Sequence, residues 1–134
     1  MVTSHFNIME NINLLENFTI DALEEKRRDI IRRDDAENAK RIMESIENAI
    51  KHNNHREYFR WPCVIRPNNI ALLKKNGFEI WKVTINYKQA NRPFTNIIYY
   101  ISTTKGGNIE ELYKEDVKSC EANFKVCSGN LEKL

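Results

Sequence analysis

The sequence predicts an α+β fold: a small mixed or antiparallel sheet of about three strands, a long N-terminal helix in one piece or split in two, a short crossover helix and a C-terminal helix. Three observations carry this. Ala39, Ile42, Met43, Ile46, Ala49 and Ile50 recur at spacings of three and four, which lines one face of a helix. Trp81, Val83, Ile85 and Tyr87 alternate with Lys82, Thr84 and Asn86, the period-two pattern of a half-buried strand. The predicted order is helix, strand, short helix, strand, strand, helix, which a sheet with helices on one face satisfies.

Taken in order, residues 1–18 read as a docking arm, because Phe6, Ile8, Ile12, Leu14, Leu15 and Phe18 are too apolar for a free tail. Thr19 suits an N-cap, its hydroxyl accepting a first-turn N–H. A helical segment then covers 19–52. Its first half offers Ala22, Leu23, Ile30 and Ile31, about a quarter turn out of phase with the stripe of the second half. The joint Arg32-Arg33-Asp34-Asp35 leaves one bent helix and two helices as alternatives. Tyr58 to Ile65 is a β-type run that Pro62 confines to an edge or bulge. Arg66-Pro67-Asn68-Asn69 breaks it and caps a helix over 70–76, which Gly77 ends in a left-handed C′ position. After the strand at 81–87, Asn91-Arg92-Pro93 forms a loop, and a third strand covers 97–102. A C-terminal helix is expected over 108–128, with Ile109, Leu112, Tyr113, Val117, Cys120, Phe124 and Cys127 near one face and Gly129 at its end. If the first two strands are parallel neighbours, the short helix between them crosses over right-handed.

A single domain over 1–134 fits this length. The longest apolar and aromatic run, Ile97 to Ile101, is far short of the roughly 20 residues a membrane span needs. Residues 1–15 lack the basic and continuous apolar regions of a signal peptide. Cys63, Cys120 and Cys127 are odd in number and irregularly spaced, which points to free thiols and a reducing cytoplasm. Cys120 and Cys127, seven apart on one expected helix, would stand about 10 Å apart, too far for a bridge. Cys63 reads as a small core residue.

Charge is distributed unevenly. Residues 1–55 carry a net of −3, residues 56–105 hold nine Lys/Arg against two Asp/Glu, and residues 106–134 carry −2. The basic middle interleaves cations with aromatics. Arg56, Arg60, Arg66, Lys82, Lys88 and Arg92 are therefore candidate phosphate contacts and Phe94 a candidate base stacker. The competing reading places the aromatics in the core, with the cations on the solvent side or facing acidic helices. In that case removing Arg60 and Lys82 together changes stability by no more than about 0.5 kcal/mol. In the first helix, pairs such as Glu24–Arg28 and Asp29–Arg33 stand at i, i+4, the pattern of a solvated or inter-helix surface.

Other chemistry finds no signature. Gly106-Gly107 precedes a helix without the further glycine or Lys-Ser/Thr of a phosphate loop. His52, His55 and Glu57 lie at a helix end, and no C-x₂-C spacing accompanies them, so no metal and no cofactor is expected. No nucleophile–histidine set stands out. The reading is therefore a non-enzymatic interaction or assembly protein. Leu23, Ile30 and Ile31 are its candidate interface for a protein partner or a second copy, and a nucleic-acid-binding module over 56–105 is the alternative.

The helix ending near Lys51, the short strand, the Pro/Asn break and then Leu72-Leu73-Lys74-Lys75-Asn76-Gly77-Phe78-Glu79-Ile80 running into a strand resemble small proteins of tailed phages and large DNA viruses. The chain's 17 Asn and 16 Ile are what AT-rich genomes tend to encode. The resemblance implies a viral or mobile-element origin, with a virion component or host-interaction factor as the role, and carries over no catalytic residue.

Overall fold

The computed structural model describes residues 14–52 and 56–134. Most of the expected docking arm, and His55, lie outside them. The chain divides into two compact units, 1–37 and 38–134. Helix α1 (Ile20–Lys51) starts in the first and ends in the second. It is one helix, so the polar joint at 32–35 does not break it. In the first unit Thr19 caps it, its Oγ1 accepting from the N–H of Ala22 at 3.1 Å. Asp29 pairs with Arg32 at 3.2 Å and Asp34 with Arg33 at 3.5 Å, so neither expected i, i+4 pair is the one observed.

The second unit continues with β1 (Tyr58–Trp61), α2 (Pro67–Lys75), β2 (Ile80–Gln89), β3 (Arg92–Ser102), α3 (Ile109–Glu121) and β4 (Lys125–Lys133). The strands form one antiparallel sheet in the order β1-β3-β2-β4. β1 and β2 are thus parallel but separated by β3, and β3 and β4 are parallel but separated by β2. Each helix, α2 and α3, spans such an interrupted pair. The expectation of about three strands is corrected to four. The helix expected over 108–128 stops at Glu121, and Val126 and Cys127 belong to a strand. Gly129 does not end a helix. It pairs with Ile85 in mid-strand, where a Cβ would collide with the Tyr113 hydroxyl. A glycine inside a strand marks that kind of close approach.

The central hairpin turns through Ala90 and Asn91, both at positive φ (51° and 63°), as the two-residue turn that matches strand twist requires. β3 therefore starts at Arg92, five residues before the strand expected from the pattern. Pro93 is tolerated because β1 covers only Tyr99–Ser102, leaving the start of β3 without a neighbour on that side. At the β4 edge Tyr87 pairs with Val126 and Asn86 with Ser128, which leaves Cys127 as a bulge.

Helices cover both faces of the sheet rather than one. Trp61, Ile80 and Ile101 pack against Ile42 and Ile46 of α1, with Ile70 and Leu73 of α2 beside them. On the opposite face Tyr58, Val83, Ile85 and Tyr100 pack against Ile109 and Leu112 of α3. The uninterrupted Ile98-Tyr99-Tyr100-Ile101 run is what two-sided coverage demands of a strand, while Ile97 before it stays exposed. Where α2 ends, Gly77 (φ 94°) donates to Lys74 O and Phe78 donates to Leu73 O, the paired bonds of a Schellman cap. At its other end Pro67 occupies the first turn, so Asn68 and Asn69 lie inside the helix rather than capping it.

Asn38 fastens the β1–α2 loop to α1. Its Oδ1 accepts from the Arg66 N–H at 3.0 Å and from Asn69 Nδ2 at 3.0 Å, while its Nδ2 donates to Val64 O at 2.9 Å. Trp61 Nε1 donates to the same carbonyl at 3.1 Å. Asn38→Ala removes three of these bonds and is expected to cost about 2 kcal/mol in urea unfolding. Asn38→Asp, which keeps the two acceptor bonds, is expected to cost less.

All three cysteines are free, but Cys63 is exposed in the loop after β1 rather than in the core. Cys63 and Cys127 are expected to react at once with a thiol reagent and half-buried Cys120 slowly. Mass spectrometry without reductant is expected to show no bridge within the chain.

Candidate functional site

The candidate cations of 56–105 do not gather on one surface. Alternation places Arg60, Arg92 and Phe94 on the α3 face of the sheet and Lys82 and Lys88 on the other. Arg66 stands at the start of α2, its N–H bonded to Asn38. Phe94 stacks on Tyr87 with ring centroids 5.7 Å apart, and Tyr87 meets Phe124 at 4.8 Å, so Phe94 ends an aromatic row.

Arg56 and Arg60 face the protein's own acidic helix. Arg60 makes a forked pair with Asp116, 2.8 Å through a terminal nitrogen and 2.9 Å through Nε, and Arg56 reaches Glu115 at 3.3 Å. Tyr100 donates its hydroxyl to Asp116 as well. On the same face Glu79 accepts from the Tyr58 hydroxyl at 3.2 Å and from the Trp81 indole. Glu57 Oε2 accepts from the Asn108 N–H at 2.8 Å, and the Asn108 side chain in turn accepts from Glu111 N, capping α3. Gly107 is required beside it, since a Cβ would lie 2.8 Å from both Glu57 Oε2 and a Tyr58 ring carbon.

This cluster is built for cohesion. Burial works to lower the Arg60 pKa, but the hydrogen bond and charge of Asp116 outweigh it and leave the guanidinium above its ordinary value. Burial first, then the bond to Asp116, pushes the Tyr100 phenol well above 10.0, and burial with Glu79 raises Tyr58. Among the described residues no group of three His, Cys, Asp or Glu is placed to hold a metal ion, and no helix is long and apolar enough to cross a membrane.

The apolar candidates are different in kind. Ile30 and Ile31 are 40% and 45% exposed and Leu23 is half-buried. Ile20, three residues before Leu23, is 71% exposed and belongs to the same stripe. Its spacing from Leu23 was the available signal, hidden by its place at the helix start. Leu14, Leu15 and Phe18 are exposed too. Among described residues 14–37 none is buried. In the second unit α1 and α2 leave a shallow apolar cleft between Met43 and Leu72.

Two outcomes follow for the ion-pair cluster. Arg60→Ala strands the half-buried Asp116 carboxylate and is expected to cost about 2–3 kcal/mol in chemical denaturation, well beyond a solvating surface cation. Because both raised phenols keep their protons longer in the folded chain, the folded state binds more protons than the unfolded one above pH 10.0. Stability is therefore expected to be complete below that pH and to fall above it. Tyr100→Phe should flatten that alkaline fall, measured as unfolding midpoint against pH.

Comparison with protein-family models, with characterised proteins and with solved structures finds no significant match, so the geometry of these residues carries the functional reading.

Proposed function

We propose that this chain is a non-enzymatic interaction or assembly protein of viral type that docks a protein partner through the apolar stripe Ile20, Leu23, Ile30 and Ile31 of α1. The observation that supports this is the absence of any buried residue among described residues 14–37, where a helix nevertheless carries these side chains. Helices in proteins draw most of their stability from packing an apolar face rather than from propensity, and this stretch packs none among the described residues. Docking supplies that packing, and the charged residues around the stripe keep the undocked chain in solution. The ion pairs of the second unit support the non-enzymatic part. Arg56, Arg60, Glu115, Asp116 and Tyr100 are engaged with one another, joining β1 and β3 to α3. Arg56 and Arg60 are thereby committed within the fold, which favours protein docking over nucleic-acid binding.

The test is capture from the cells of origin, with and without nuclease, by the wild type and by Ile30→Lys/Ile31→Lys. Nuclease-resistant capture that the double variant loses is the expected result. Capture that survives the substitution, or that nuclease abolishes, overturns the reading.

A further inference from the structure

We propose that the free edge of β3 docks an extended peptide segment of a partner, apolar at its start and acidic at its end, which adds to the sheet as a short antiparallel strand. The site lies in the second unit and does not depend on the α1 stripe. Hydrogen-bonding direction alternates along β3. Ser102 donates to Glu79 O on the β2 side at 2.9 Å, and Thr103, just past the strand, donates to Glu57 O on the β1 side at 2.9 Å. Even-numbered residues of β3 therefore bond to β2, and odd-numbered ones turn the other way. On that side β1 takes up only residues 99–102, and among the described residues no strand pairs with the stretch before them. The N–H and C=O of Thr95 and Ile97 and the C=O of Pro93 thus face an open edge. Exposed edges are ordinarily defended by charges, bulges or proline. β4, on the opposite edge, carries Lys125, Glu132 and Lys133 and a bulge at Cys127. β3 has only Pro93, near its start. From there to Ile98 it bears no charge, pairs with β2 without a break, and leaves Phe94 and Ile97 exposed.

Hydrogen bonding, space and charge select the occupant. Main-chain donors and acceptors repeating every second residue are matched by another extended backbone. The open stretch, residues 92–97, is six residues long and is closed at one end by Trp61, which stands opposite Tyr99. A second copy does not fit there. Pairing two β3 strands about Thr95 or Asn96 would carry Asn91 or Pro93 of one onto the place that Trp61 holds in the other. A single peptide strand has no hairpin turn to collide. Charge supplies the rest. Residues 80–102 include no Asp or Glu. Lys88, paired with Pro93, and Arg92 stand at the hairpin end of the gap, and among the described residues neither is in an ion pair. Every neighbouring pair in this sheet is antiparallel. A segment added the same way meets Ile97 first, passes Phe94, and reaches Lys88 and Arg92 last, so complementarity asks for apolar residues before acidic ones. So short a strand buries little area, which places the contact in the weak, transient class.

The probe is the hexapeptide VTTVEE, added at millimolar concentration to the whole chain and followed by amide hydrogen exchange in NMR. Its first residue is expected opposite Ile97, its third opposite Thr95 and its last opposite Arg92. The Thr95 and Ile97 amides are expected to exchange fast in the chain alone and to be protected by the peptide, while that of Asn96, already bonded to β2, stays as it was. N-methylating the third residue removes the donor to Thr95 O and is expected to weaken binding about tenfold or more. N-methylating the fourth, whose N–H faces away, is expected to change it by less than about twofold. VTTVKK and the reversed EEVTTV are each expected to bind about tenfold more weakly, and added salt is expected to weaken VTTVEE. Ile30→Lys/Ile31→Lys is expected to bind VTTVEE as wild type does, so this site and the α1 stripe can fail separately. No protection by VTTVEE overturns the site. Equal response to the two N-methyl peptides overturns strand addition, and VTTVKK or EEVTTV binding as well as VTTVEE overturns the acidic-ended partner. Protection of Thr95 and Ile97 that grows with the concentration of the chain alone places a second copy on this edge and overturns the peptide occupant.

Discussion

The second unit depends on burying both faces of the β2–β3 hairpin. Ile80 and Ile101 sit opposite one another and point to α1 and α2, while Val83, Ile85 and Tyr100 point to α3. A hairpin alone is at best marginally stable in water, and apolar side chains on both of its faces cannot be satisfied by helices on one side. The helices that follow β1 and β3 are therefore committed to opposite faces. Each connection must also step over a strand, because the hairpin's own partners already occupy the centre of the sheet.

Two-sided coverage explains the fate of the charges. Once α3 lies over the face that carries Arg60 and Tyr100, its acidic side meets the end of β1. Asp116 is half-buried there, and a forked, charge-assisted pair with Arg60 and the Tyr100 phenol satisfy it. The basic middle of the chain and its acidic C-terminal flank are thus partly two halves of one internal contact. A charge imbalance that reads as a lure for an external polyanion is in part cancelled at home. Of the other cations on the strands, Lys82 and Lys88 lie on one face and Arg92 on the other, divided by the sheet itself.

α1 obeys two constraints in succession. From Asn38 onward it is held by Ile42, Ile46 and the three hydrogen bonds of Asn38. In the first unit its apolar residues lie on another side of the helix and no described residue is buried. Of the two stripes that the sequence sets a quarter turn apart, only the second meets a core among the described residues.

Local rules determined much of this unaided. The Thr19 cap, the helix stop at Gly77, the alternation of Trp81 to Tyr87 and the stripe from Ala39 to Ile50 were all legible, because each depends on residues within one or two turns or a single strand. The quarter-turn offset between the two stripes of α1 was legible for the same reason, since it depends only on helical spacing. Tertiary structure alone decided the rest. Residues 125–133 became a strand because β2 offered an open edge, although Val126 and Cys127 continue a helical spacing. Gly129 was placed by the Tyr113 side chain rather than by a turn, and Pro93 entered a strand because β1 is short. Arg60 was assigned to Asp116 by the packing of α3, across 56 residues of chain. Pairings over such separations depend on which faces are already buried, and neither periodicity nor capping carries that information.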